Sequence, residues 1–131
     1  MSRRRRYSAA ELVREELFDL ARAALKDEEW CYSPACFSGA DRAEAPLYAC
    51  VRRFYERVAG GEDSRAVFAS EDARWRAYAA ENNAKVEAAP RIRRGPMSGA
   101  SSIHYRHTSP EMFEQKRPHL FAMVAKITGA P

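Results

Sequence analysis

Apolar residues recur at spacings of three and four near the start of the chain. Ala10, Val13, Leu17, Leu20 and Ala24 fall on one face of a helix running to about residue 29. Ser8-Ala9-Ala10-Glu11 precedes them and reads as a capping box, in which the Ser hydroxyl takes an orphan amide and Glu11 reaches back to the cap. Arg14, Arg22 and Lys26 lie off the apolar face. Pro34, Gly39 and Pro46 then predict a loop over 32–46. A second stripe of Leu47, Val51, Phe54 and Val58, widened by Tyr48 and Tyr55, predicts a helix over about 44–59 that Gly60-Gly61 stops. Arg53 and Arg57 stand one turn apart on its other face.

A third helix is predicted over 64–88, since Phe68, Trp75, Ala79 and Val86 share a face and Pro90 prevents continuation. Each stripe needs a cover, so the expected fold is all-α: a three-helix antiparallel bundle over 8–89, behind a basic tip at 1–7. From Ala89 to Thr108 the composition turns to Pro, Gly, Ser and Arg without a helical period, and residues 90–131 are expected to form an extended, partly helical arm. Ser109-Pro110-Glu111 starts a final helical piece through Ile127, broken or kinked at Pro118 and bearing Met112, Phe113, Leu120, Phe121 and Val124. So apolar an end is expected to lie against partner proteins, because Phe113, Leu120 and Phe121 exceed what a small bundle can cover.

At 131 residues the chain fits one domain. Its formal charge of +4 equals the contribution of Arg3, Arg4, Arg5 and Arg6. Residues 7–89 hold eleven basic and sixteen acidic side chains, and residues 90–131 hold seven and two. A basic tip and tail around an acidic body argue against a nucleic-acid-binding module, whose basic stripe belongs on the folded body. The Arg run is read as a solvated terminus or an import signal rather than a lipid or nucleic-acid site. Seven acidic residues by Glu29 argue against a standard cleavable presequence. No stretch approaches the ~20 apolar residues of a membrane span, so the expectation is a soluble or peripheral protein.

No nucleotide loop, nucleophile elbow or zincin signature is present, and the chain is expected not to be an enzyme. Cys31, Cys36 and Cys50 are odd in number and poorly spaced for a metal, which favours buried thiols in a reducing interior. His104 and His107 have no acidic or thiol ligand at a useful spacing, so no metal site is expected.

One order of elements stands out. Leu20-Ala21-Arg22 lies on the first helix, Trp30-Cys31 at its end, and Tyr48-Ala49-Cys50-Val51-Arg52-Arg53-Phe54-Tyr55-Glu56 on the second. Pro90-Arg91-Ile92, Ser98-Gly99-Ala100-Ser101-Ser102 and Tyr105 follow the third. This set, over residues 11–108, resembles the LYR-motif family of small mitochondrial proteins, and within it the accessory subunits of the membrane arm of respiratory complex I. The middle motif position is Ala21 rather than Tyr.

The resemblance implies a non-catalytic accessory subunit, peripheral on the matrix side of the mitochondrial inner membrane. It implies contacts with other complex I membrane-arm subunits and docking of an acyl carrier protein. By position, Leu20, Ala21, Arg22 and Phe54 would form the motif site. Arg52, Arg53 and Lys26 would face the carrier's acidic surface. No cofactor is expected on the chain itself, beyond the acyl-phosphopantetheine of that partner. The alternative within the family is an assembly factor for iron–sulfur or respiratory proteins; the alternative outside it is the small basic nucleic-acid module.

Overall fold

The computed structural model describes residues 7–33, 39–88 and 107–129, with 39–43 described by backbone alone. The expected features at Arg3–Arg6, Pro34, Cys36, Pro90–Ile92, 98–102, His104 and Tyr105 lie outside the described residues. Among those described the chain is all-α: α1 (Ala9–Cys31), α2 (Gly39–Ala59), α3 (Ser64–Ala88), a short α4 (Met112–Gln115) and α5 (Arg117–Thr128).

The local signals act as expected at most ends. The Ser8 hydroxyl accepts from the Glu11 amide and the Glu11 carboxylate accepts from the Ser8 amide, both at 3.1 Å. At the end of α2, Gly61 takes the left-handed φ of 100°. That allows the Glu62 and Gly61 amides to donate to the Arg57 and Val58 carbonyls at 3.1 and 3.0 Å, satisfying groups the helix leaves orphaned. Asp63 caps α3 by accepting from the Ala66 amide at 3.0 Å.

The second helix departs from expectation. It begins at Gly39 rather than near 44, with Pro46 inside it. Pro46 stands two turns into the helix; its fixed φ is a helical value, and the missing amide removes the one backbone bond that residue 46 would give to the Arg42 carbonyl.

Helix α2 lies between α1 and α3 and packs on both. It runs opposite to α1: Ala10 shares a groove with Ala59 at one end, and Glu28 pairs with Arg52 toward the other. The core gathers Leu17 and Ala21 from α1, Leu47, Cys50, Phe54 and Tyr55 from α2, and Val67, Phe68, Trp75 and Ala79 from α3.

The expectation for the C-terminal residues is corrected here. Phe113 and Leu120 are 0% and 1% exposed, and Phe121 is half-buried, all against the chain's own core. Phe113 stacks on Phe68 at 4.9 Å between centroids, and Phe121 packs on Phe54 and Phe68 at 5.9 and 5.6 Å. A single sequence stripe on α2 and α3 does not reveal the gap between the two helices, and these rings fill it. At roughly 1.5–3 kcal/mol per buried large side chain, the return is strongly favoured over exposure.

The break between α4 and α5 falls at Lys116, two residues before Pro118, where a missing amide and a crowded ring interrupt the ladder. Polar contacts fasten the returning chain. The Trp75 indole N–H donates to the Ser109 carbonyl at 2.9 Å. The Asn83 side chain donates to the Thr108 carbonyl and accepts from the Thr108 amide, both at 2.8 Å. His107 meets Glu87 at 2.7 Å, so the chain returns beside the end of α3.

Candidate protein-docking site

The residues marked by the motif resemblance separate into two groups. Ala21 is buried in the core with Phe54, and Leu20 packs half-buried against the same cluster. Arg22 and Lys26 stand one turn apart on α1 and are exposed. Arg22 pairs with Asp19 on the preceding turn, whereas Lys26 has no ion pair among the described residues. About two turns of α1, Leu20 to Lys26, thus join an apolar inner edge to a basic outer one.

Arg52 and Arg53 belong to the protein's own packing. Arg52 donates to Glu28 of α1 at 3.4 Å and to Glu56 at 3.1 Å. Arg53 donates through Nε to Oε1 of Glu71 at 2.8 Å and through a terminal nitrogen to the Cys50 sulfur at 3.4 Å. The resemblance would have both face a carrier's acidic surface; in the structure both are engaged by carboxylates of the chain itself.

Glu71 is the functional-looking residue that the stripe reading passed over. It is 0% exposed, with both carboxylate oxygens engaged: Oε1 by Arg53, and Oε2 by Arg57 at 3.0 Å. Arg57 also donates to the Ser70 hydroxyl at 2.9 Å and to Glu62 at 2.8 Å. A signal for it existed, since Glu71 falls between Phe68 and Trp75 on the buried stripe of α3 and Arg53 and Arg57 repeat at four on the neighbouring helix.

The electrostatics agree with a structural ion cluster. Burial alone would lower the Arg53 pKa, but the hydrogen bond and charge of Glu71 outweigh it and raise it. Hydrogen bonds to Glu62 and then Glu71 raise Arg57. Burial pushes the Cys50 thiol up to about 11 against the opposing pull of Arg53, so it stays protonated and unreactive near neutral pH.

No group of three or more His, Cys, Asp or Glu among the described residues is arranged to hold a metal. No helix among them is long and apolar enough to cross a membrane. No protein-family model, curated protein or solved structure matches this chain.

Proposed function

We propose that this chain is a non-catalytic LYR-type accessory subunit of mitochondrial respiratory complex I, peripheral on the matrix side of the inner membrane, where it docks an acyl carrier protein and braces the membrane arm. The observation that carries this reading is the two-sided segment Leu20–Lys26. Leu20 and Ala21 lead inward to Phe54, and Arg22 and Lys26 stand outward in solvent.

An acyl carrier presents an acidic helix beside a thioester-linked chain, so it needs cations next to an apolar entry. Exposed Arg and Lys supply the first, and Arg can hold a phosphate by paired hydrogen bonds. Each methylene brought out of water contributes about 0.8 kcal/mol. Arg52 and Arg53 support the docking face from behind by fixing α1 and α3 to α2, rather than by meeting the carrier themselves.

The test is purification of a tagged chain from gently solubilised cells, with its companions identified by mass spectrometry. Stoichiometric recovery of an acyl carrier together with complex I membrane-arm subunits is the expected result. Recovery with iron–sulfur assembly proteins instead would move the chain to the assembly-factor role. Recovery alone or with nucleic acid would overturn the family reading.

A further inference from the structure

At the end of the bundle where α1 begins, the apolar stripe of α1 runs past its cover. Leu17 is buried, Val13 is half-buried and Ala10 is exposed, although all three hold the same spacing. Between them opens a groove of about 390 Å³, walled by Ala10, Val13 and Leu17 of α1, Val58 and Ala59 of α2, and Thr128 of α5. It reaches from solvent to Leu17 in the core. A hollow of about 300 Å³ adjoins it across Val13, lined by Leu12 and Ile127 with Glu16 and Lys126.

The groove's volume is that of a small molecule rather than of a folded segment, and its apolar walls are the side chains of Ala10, Val13, Leu17, Val58 and Ala59. A single unbranched alkyl chain suits those walls. Arg14 lines the same groove, is exposed, and has no ion pair among the described residues. Arg14 also lines a further, polar hollow with Tyr7, Glu11 and Glu15; there Glu11 accepts from the Ser8 amide, which leaves Glu15 as the competitor.

We infer that this groove binds a free medium-chain fatty acid, with the alkyl chain directed toward Leu17 and the carboxylate held by Arg14. The position of the cation selects the free acid over a carrier-bound chain. Arg14 lies in the groove wall itself, so the anion must be bonded directly to the chain, whereas a thioester is neutral at that point. The inference therefore stands apart from carrier docking on Arg22 and Lys26.

Calorimetric titration of the full chain with decanoate and with decan-1-ol, below their micellar and solubility limits, tests it. Decanoate is expected to bind about fivefold or more tighter than the alcohol, the margin of a charge-assisted contact. Arg14→Lys should keep that preference and Arg14→Glu should remove it. Ala10→Trp places a ring in the groove at an exposed position; it should weaken decanoate about tenfold or more while circular dichroism stays unchanged. Equal affinity for acid and alcohol, undiminished binding by Ala10→Trp, or no saturable binding by the wild-type chain would each overturn the inference. A chain that binds decanoate but recovers no carrier would remove the carrier reading and leave this one standing.

Discussion

Helix α2 is covered differently on its two sides. Toward α1 the packing uses small apolar groups: Ala21, Ala24 and Cys31 around a single large residue, Leu17, which lets the two helices approach closely. Toward α3 it uses Phe68 and Trp75 with the carboxylate of Glu71 clamped by Arg53 and Arg57. The first side is matched mainly by shape, and its Arg52–Glu28 pair keeps partial access to water, so a modest shift would leave no fully buried charge in it. The second is matched by charge. A slip of α3 by one turn, about 5.4 Å, would strand a fully buried carboxylate. The charged side therefore fixes the relative height of the helices, and the small-residue side sets their separation.

Breaking the charged side should have the largest effect. Glu71→Ala takes the carboxylate from Arg53 and leaves Arg57 with Glu62 and Ser70, and removing one member of a buried pair costs about 3 kcal/mol or more. Arg53 and Arg57 remain 29% exposed at their side chains and can turn partly to water, so the loss should fall at the lower end of that range. A urea titration measures it, and a change under about 1 kcal/mol would show that the cluster does not set the register.

The two sides also differed in how much of them could be read from the sequence. The Ser8 cap and the Gly60-Gly61 stop act through neighbouring backbone, so residue type and spacing are enough to place the start of α1 and the end of α2. The third stripe found Phe68, Trp75 and Ala79 for the same reason. Glu71 was missed because a carboxylate on a buried face looks like a break in the pattern until two arginines on another helix are placed against it. The return of Phe113 and Leu120 was missed because it depends on the width of the gap between α2 and α3, which no one-dimensional period carries. Arg22 and Lys26 lie off the buried face as their spacing predicts, whereas the pairing of Arg52 with Glu28 and of Arg53 with Glu71 depends on helix placement that spacing does not carry.

The small-residue side offers a sharper probe at Ala21. Placing there the tyrosine of the motif it resembles would put a ring into a position that is 2% exposed and faces the core cluster. Ala21→Tyr should therefore destabilise the chain by about 1–3 kcal/mol through overpacking. The melting temperature of the purified variant checks the sign. A rise would show spare room between α1 and α2 and return position 21 to the entrance role that the resemblance implies.

Alkaline pH should loosen α2 from within. Burial raises the Cys50 thiol from 9.0 to about 11 and the Tyr55 phenol from 10.0 to about 12. For a group whose folded pKa is raised, the stabilisation is full below the unfolded value and fades as pH climbs through the folded one. Stability should thus decline from about pH 9 upward and continue to fall toward pH 12. Cys50→Ala removes the thiol's share, so denaturation midpoints at pH 8 and pH 10.5 should lie closer together in that variant than in the wild type. An equal spread in both would mean that the thiol does not contribute.

The smallest expected effect on stability belongs to the outer edge of α1. Arg22 makes one exposed pair with Asp19, and Lys26 makes none among the described residues; exposed pairs of this kind contribute about 0–1 kcal/mol. Reversing both, with Arg22→Glu and Lys26→Glu, should shift the unfolding midpoint by less than about 0.5 kcal/mol. In the proposed docking the same pair of changes sets two carboxylates against an acidic partner, so co-purification of an acyl carrier should fall well below the wild-type ratio. Arg53→Glu is the contrasting variant, because it sets a second carboxylate against Glu71 and should lose helical content before any partner is considered. If the α1 double variant keeps both its stability and its carrier, the outward basic edge is not the docking face. If it loses helical content instead, Arg22 and Lys26 hold the fold in a way their exposure does not convey.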